Sequence, residues 1–328
     1  MDGHGRRLAA ADLRTDPHRR ARRRLRADRE TPVACLEPGN GQTRLGYLWT
    51  CARPGGDTVF TWHTSRAAAC LETILPRGWR GAVQSDGCAA YFAFVRQHNA
   101  AAGIQAIILA ACWAHVRRAI FKARESAPRT SGWLLHQIAL PCRIEAHLRA
   151  CKAGPRLRAA VRAAVRAAHS APILRRIHAA LKLIRSRHLP QSALGKAITY
   201  TLDLWPALER FLAHGRIESE RSGDSLPQAA RRASVARQID NNGVKNAIRP
   251  TALGKKNWLF IGAAHAGERG AILYTIVESC RRRGIDPIAC LRDVLTRLPR
   301  MTISQIPEVT PEAWVKAQRQ GRESQAAA

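Results

Sequence analysis

The sequence predicts an α/β protein in which a mixed sheet is followed by a long helical segment and by C-terminal helices. Three observations carry this prediction: β-rich runs with tight turns over residues 31–64, alternating helix and strand patterns over 65–110, and helical spacing over 112–215. The chain has 328 residues, of which 46% are hydrophobic. That is enough to bury a sizeable core in one to three domains.

The strand prediction depends on three short runs, TPVACL, GYLWTCA and TVFTWHT, which the turn clusters EPGNGQ and RPGGD separate. Runs rich in Val, Thr and aromatic residues between such clusters are typical of strands. A helix over 65–75, a strand at GAVQSD, a helix over 89–97 and a strand at IQAIILA follow. The order βββαβαβ is that of a ribonuclease-H-like core, a mixed sheet flanked by helices.

The chain divides into six predicted segments. They are a basic disordered arm over 1–27, the first part of the core over 28–125, a helical insertion over 126–218, a loop over 219–238, the second part of the core with helices over 239–300, and a tail over 301–328. The arm is dense in arginine and poor in hydrophobic residues, so it cannot bury much surface. From Arg300 the pattern fades into that of a linker.

The charge of the chain predicts a polyanionic partner. Lys and Arg total 54 against 24 acids, a net charge of +30 with a pI near 11.4. Nucleic acid is the usual partner for such an excess, although a ribosome-like basic protein or an arginine-rich translation of GC-rich DNA has the same charge. The nine cysteines form no CxxC pair and no run approaches the roughly 20 apolar residues of a membrane span, which favours a cytoplasmic protein.

Carboxylates on two predicted strands are the candidate chemical groups. Asp86 ends the fourth strand, where ligands of α/β folds bind, and Asp28 and Glu30 lie at the entry to the first strand. Together they would offer oxygen ligands for magnesium. The structural alternative for Asp86 is that it caps the next helix, and helix-capping aspartates are more frequent than metal ligands. The alternative for Asp28 and Glu30 is that they are surface charges.

A second candidate group is CWAHVRR, in which Cys112 and His115 share one helical face. As a metal pair they would need two further ligands that the sequence does not supply. A packed Cys and His, with Arg117 and Arg118 facing phosphate or solvent, is the favoured interpretation.

Several segments together resemble the bacterial transposases of the insertion sequence 66 family, a group of DDE transposases. They are ETPVACLEPGNGQTRLGYLW, Ser65–Arg66, RGAVQSDGCAAY, CWAHVRRAIF, LGKAITYTLDLWPALERFLAHGRIE, IDNNGVKNAIRPTALGKKNWLFIG, AHAGERGAILYTIVESCRRRGIDP and LRDVLTRLP. The resemblance covers about residues 28–310. Its most specific part is the Asp-Asn-Asn to Arg-Pro block followed by Gly-Lys-Lys-Asn-Trp-Leu-Phe.

The resemblance implies a ribonuclease-H-like core in which two aspartates and a glutamate bind two Mg²⁺ ions for in-line cleavage and transfer of DNA strands. Asp28 resembles the first aspartate and Asp86 the second. The glutamate is expected three residues after the second Asn of the Asp-Asn-Asn block, and Lys245 occupies that position. A protonated lysine cannot coordinate a hard cation, so one magnesium site is expected to be lost.

The implied partners are DNA, other proteins of the same insertion element and a second copy of the chain. The basic residues of the matching segments that are expected to contact DNA are Arg66, Arg117, Arg118, Arg249, Lys255 and Lys256.

Other departures from the family pattern predict a truncated and degenerate copy. The family motif Ala-Asp-Glu-Thr-Pro is here ADRETP, with Arg29 interposed, so either Asp28 bulges back into place or the first acid is lost as well. The family's N-terminal DNA-binding and zinc-binding regions are expected to be missing from this copy. We therefore expect a transposase catalytic domain with impaired activity or, alternatively, a non-catalytic DNA-binding remnant that interferes with an intact transposase.

Overall fold

A computed structural model describes residues 25–37, 39, 41–52, 57–150, 155–214 and 242–326. The predicted loop over 219–238 and nearly all of the predicted basic arm lie outside these residues. Contacts divide the chain into two compact units. The sheet unit comprises residues up to Arg77 together with those from Val244 onward, and the helical unit comprises Gly78–Gly243.

The strands are β1 (Leu25–Leu36), β2 (Thr43–Ala52), β3 (Thr58–His63), β4 (Gly81–Ser85), β5 (Ile107–Ala111) and β6 (Phe260–Ile261). The helices are α1 (Ala89–Ala102), α2 (Trp113–Lys122), α3 (Pro128–Ala150), α4 (Pro155–Val165), α5 (Ala171–Arg185), α6 (Ala193–Asp203), α7 (Trp205–Leu208), α8 (Arg210–Ala213), α9 (Asn242–Trp258), α10 (Ala264–Arg283), α11 (Pro287–Arg297) and α12 (Pro311–Ala326). The predicted order βββαβαβ is confirmed, except that the first helix is a short 3₁₀ turn, Ala68–Thr73.

The sheet unit is built on an antiparallel meander of β1, β2 and β3, to which β6 adds a short parallel pairing with β1. One face of this mixed sheet buries Val33, Phe60 and Trp62 against Ala247 of α9 and Ala271 of α10. These alternating apolar strand positions explain why two helices cover that face.

Helix α10 is fixed along β3 by hydrogen bonds as well as by apolar packing. The backbone N–H of Phe60 donates to Thr275 Oγ1 at 2.9 Å, and Ser279 Oγ donates to the carbonyl of Thr58 at 3.3 Å. The hydroxyls thus bond to β3 backbone groups beneath a helix, where water cannot reach them.

The helical unit begins with β4 and β5, which are parallel and connected through α1. The Asn99 side chain of α1 forms both hydrogen bonds to the backbone of Ile107, at 2.9 and 2.8 Å, and so fixes the first residue of β5. Helices α2–α8 follow, as the helical spacing of residues 112–215 predicts.

The C-terminal residues differ from the predicted linker-like tail. Ile306 and Val309 are 1% exposed and join the core of α10 and α11, while Trp314 of α12 donates from its indole N–H to Asp293 at 2.9 Å. Thr302 and Gln305 form a capping box at the start of this region. This local cap and the few, widely spaced apolar residues are weak sequence signals, which explains the error.

The cysteines of the described chain are free thiols, as their scattered spacing predicts. Cys88 is partly exposed, and every other described cysteine is buried. They therefore act as small apolar side chains in the core.

Candidate functional site

The first predicted metal ligand, Asp28, lies in a regular part of β1. The pairing with β2 runs without interruption from Ala27 opposite Ala52 to Leu36 opposite Thr43, so the described strand contains no bulge. A bulge was the way in which Asp28 could return to the position that the family motif requires. The family motif has its aspartate directly before Glu-Thr-Pro. In this chain Arg29 occupies that position, directly before Glu30.

The neighbouring acid, Glu30, is buried and paired with a predicted DNA contact. Arg66 Nε donates to Glu30 Oε1 at 3.0 Å, and Arg66 Nη2 donates to the same oxygen. The Glu30 side chain is 3% exposed, whereas that of Arg66 is 53% exposed. Glu30 Oε2 is buried and accepts no hydrogen bond from the described residues.

The pairing gives Arg66 a role that the sequence analysis missed. Its guanidinium neutralises a buried carboxylate, although half of the side chain still faces solvent. A signal was present, since Ser65–Arg66 and Glu30 both lie in the segments that carry the family resemblance. The sequence could not show that they touch.

The second predicted ligand, Asp86, follows β4 in a turn that α6 holds. Tyr200 donates its hydroxyl to the backbone carbonyl of Asp86 at 2.9 Å. Gly87 has a φ of +90°, and a Cβ added there would lie 2.8 Å from the Leu204 side chain. Both the conformation and the close approach of Leu204 thus require glycine after Asp86.

The alternative role of Asp86 as a helix cap is wrong. The N-cap of α1 is Cys88, which makes no side-chain cap hydrogen bond. The Asp86 carboxylate is partly buried, and its charge acts on Tyr200. Burial, the charge of Asp86 and then that of Cys112 raise the pKa of Tyr200 to about 12, so Tyr200 is a hydrogen-bond donor at neutral pH.

Cys112 and His115 do not form a metal site with other described residues. Cys112 is buried at the N-cap of α2, and its carbonyl accepts the His115 backbone N–H at 3.1 Å. This agrees with the favoured interpretation of a packed pair.

Lys245 lies in the first turn of α9, a helix whose Ala247 and Ile248 are buried in the core beside Val33 and Cys35 of β1. The N-terminal end of a helix carries partial positive charge, which favours acids and disfavours lysine by about 0.3–1 kcal/mol. A glutamate at this position would therefore suit the helix better than the lysine that is present.

The remaining predicted DNA contacts are accessible. Arg117 and Arg118 are exposed on α2, and Arg249 and Lys256 are exposed on α9. Lys255 is partly buried and donates from Nζ to the carbonyl of Pro32 at 3.0 Å. Four of the five therefore present free cationic groups to solvent, with no carboxylate partner among the described residues.

Among the residues that the structure describes, no group of three His, Cys, Asp or Glu side chains could hold a metal ion. None of the described helices combines the length and the apolar composition that a membrane span requires.

Comparison with known proteins extends the sequence resemblance. The model of the Transposase IS66 family matches residues 5–221 and 233–269. The match includes most of the arginine-rich arm, which the resemblance from residue 28 onward had left out. The unmatched residues 222–232 fall within the predicted loop insertion.

Curated relatives are similar over most of this chain. The uncharacterized proteins y4qI and y4jD of Sinorhizobium fredii (strain NBRC 101917 / NGR234) are 31% identical to it over 279 and 306 residues, which is 82% and 89% of the chain. These matches take in 47% and 54% of the relatives, so the chain spans about half their length. No solved structure matches it significantly. On the extent of the family match, the chain belongs to the IS66 family of transposases.

Proposed function

We propose that the chain is a transposase core that binds DNA through its basic helices but has impaired magnesium-dependent cleavage and transfer of DNA strands. The observation that carries the proposal is Lys245 in the first turn of α9, at the position of the family glutamate. A second cation, Arg29, precedes Glu30-Thr31-Pro32 in an unbulged strand. The proposed site thus has two of its three acid positions occupied by basic residues.

The electrostatics of such a site oppose metal binding. Magnesium requires oxygen ligands at short range, and an ammonium group offers none while it repels the ion. When bound, the metal ions of the family would activate the attacking oxygen and stabilise the leaving oxygen. In this chain we assign the retained Asp86 to holding such a metal ion. Tyr200 stabilises the turn that contains Asp86 by a hydrogen bond to its backbone carbonyl.

Two features support the remaining parts of the proposal. An antiparallel three-stranded meander followed by a βαβ unit is the element order of a ribonuclease-H-like core, which we infer for this chain. The net charge of +30 and the exposed arginines and lysines of α2 and α9 supply the electrostatic attraction for the DNA backbone.

The direct test is a strand-nicking assay on labelled DNA of element ends, with and without Mg²⁺. We expect strongly salt-dependent binding with little or no nicking. Efficient Mg²⁺-dependent nicking by the unaltered chain would contradict the assignment of Lys245 to the glutamate position.

A glutamate at position 245 tests whether the lysine there is the cause of weak magnesium binding. Lys245→Glu removes the ammonium and adds a carboxylate, so we expect the affinity for Mg²⁺ alone, measured by calorimetry, to rise by about tenfold or more. Deleting Arg29 as well recreates Ala-Asp-Glu-Thr-Pro and should increase the effect. Lys256→Glu is the matched control, because it makes the same charge change about three turns further along α9. Equal affinities in the two glutamate variants would place the metal site elsewhere.

A second candidate function is a non-catalytic DNA-binding protein that interferes with an intact transposase by mixed assembly. The same two basic positions favour it, since they weaken the metal site without removing the DNA-binding helices. It predicts that adding this chain to an active relative lowers nicking in proportion to the amount added. An inhibition that disappears when DNA is in excess would point to competition for DNA and not to mixed assembly.

A further inference from the structure

The helical unit contains a long stretch without acids. No Asp or Glu lies between Glu145 and Asp203, whereas lysine and arginine recur throughout. Helix α5 lies within this stretch and carries Arg175, Lys182 and Arg185, which are all exposed. We call these three residues the α5 basic row.

The spacing of the α5 basic row places its members on one side of the helix. Lys182 follows Arg175 by two turns, and Arg185 follows Lys182 by a further turn, so the row extends about 15 Å along the axis. Successive phosphates of one DNA strand are about 3.4 Å apart along the duplex axis. A row of this length can therefore contact several phosphates at once.

Another face of α5 is buried in the protein. Leu174, Ile177 and Leu181 are at most 2% exposed and belong to the core of the helical unit. The apolar face that a membrane-surface helix would insert between lipids is therefore already used for packing. The three cations are exposed beside this packed face, so they are available to a ligand in the folded protein.

The charges of the row are not neutralised by the described part of the protein. None of the three side chains forms an ion pair with a described carboxylate. By contrast, Arg281, Arg297 and Lys316 of the sheet unit pair with acids on their own helices at 3.3, 3.4 and 3.2 Å. The positive field of Lys182 also reaches His178, whose pKa is lowered by burial and then by this lysine.

We propose that the α5 basic row is a further DNA-backbone contact surface, in addition to the contacts predicted on α2 and α9. This inference rests on the proposed function and identifies a surface of the helical unit that would bind DNA. Long, flexible cationic side chains without neighbouring amides or acids neutralise phosphates but do not distinguish bases. The row therefore adds affinity for duplex DNA of any sequence.

The experiment compares two triple variants of the full chain on a duplex of random sequence across a salt titration. The variant Arg175→Gln, Lys182→Gln, Arg185→Gln removes the row. The control Arg281→Gln, Arg297→Gln, Lys316→Gln removes the same net charge from exposed cations that already have carboxylate partners. A plot of log affinity against log salt has a negative slope, and each lost phosphate contact makes that slope less steep by about 0.9. We expect the magnitude of the slope to fall by about 2–3 in the first variant and by less than about 1 in the control.

Each outcome decides between interpretations. Equal losses of steepness in both variants would mean that only the net charge of the chain matters. An unchanged slope in the first variant would place the DNA contacts elsewhere. Either result overturns the α5 assignment and leaves the proposed function standing. Failure of the unaltered chain to bind DNA overturns both. Binding to phosphatidylserine vesicles that depends on the row, with DNA binding unaffected, would assign a membrane partner instead. Equal helical circular dichroism and urea midpoints confirm that both variants fold.

Discussion

Each unit of the molecule contains a buried glutamate that pairs with an arginine, and the two pairs differ in how completely they are bonded. In the helical unit, Arg166 Nε and Nη2 donate to the two oxygens of Glu145 at 2.5 and 2.8 Å, and both side chains are at most 2% exposed. In the sheet unit, Arg66 bonds a single oxygen of Glu30 and remains half exposed.

The Glu145–Arg166 pair uses both carboxylate oxygens, whereas the Glu30–Arg66 pair leaves one carboxylate oxygen without a hydrogen-bond donor among the described residues. Arg166 Nη1 also donates to the carbonyls of Phe211 and His214, at 2.8 and 3.0 Å, so this guanidinium joins α3 to the end of α8. Such bidentate pairs fix geometry. Glu30 retains a buried oxygen without a hydrogen-bond donor among the described residues, so this oxygen can still accept a hydrogen bond from a water molecule or a ligand.

The largest effect is expected from Arg166→Leu. The substitution leaves Glu145 buried without its partner and should lower the free energy of unfolding by about 3–5 kcal/mol. Urea unfolding followed by circular dichroism measures it.

The double variant Glu145→Leu, Arg166→Leu is the control for this comparison. It should recover part of the loss, because no charge is left unpaired. A loss below about 1 kcal/mol in the single variant would show that Glu145 is solvated or protonated when its partner is removed.

An intermediate effect is expected from Arg66→Ala. It strips the only described donor from a buried carboxylate, but solvent already reaches Arg66, so the loss should be about 1–3 kcal/mol. Arg44→Ala is the matched control, since Arg44 pairs with an exposed acid, Glu37, at 3.2 Å and should contribute less than about 1 kcal/mol. Equal losses from the two variants would remove the distinction between a buried and a surface pair.

The smallest effect is expected from Tyr200→Phe, which removes the hydrogen bond to the Asp86 carbonyl and should cost about 0.5–1.5 kcal/mol at neutral pH. The pKa of Tyr200 is about 12 in the folded chain and near its ordinary value of 10 when unfolded. The unfolded state thus loses this proton first, and stability falls as pH rises from about 10 to 12.

Spectroscopic titration near 295 nm checks that prediction, because ionised tyrosine absorbs there. The Phe variant should lack the tyrosine that ionises near pH 12 and should lose less stability in that window. Identical titration curves for the two proteins above pH 11 would contradict the burial of this hydroxyl.

The elements with strong local signals could be predicted from the sequence. The three N-terminal strands, the strand–helix–strand unit and the helical spacing each depend on residues close together in the chain, and the structure has them in the predicted order. Helix α11 is the clearest case: Asp286 accepts hydrogen bonds from the backbone N–H groups of Ile288 and Ala289, beside Pro287 at the first helical position.

The surroundings of the candidate acids could not be predicted, because they depend on long-range packing. Arg66 and Glu30 are 36 residues apart, and Tyr200 and Asp86 are 114 apart. Residue spacing carries no record of such contacts. The assignment of Lys245 came from the family resemblance and not from its own surroundings, so it remains a prediction for the glutamate experiment.

The partial exposure of Cys88 has a practical consequence. This thiol lies two residues after Asp86, while the other described cysteines are shielded in the interior. A maleimide fluorophore would therefore attach beside the retained aspartate without an engineered cysteine, once Cys151, which lies outside the described residues, is replaced by serine. Changes in its emission on adding Mg²⁺ or duplex DNA would report which of them reaches the turn after β4.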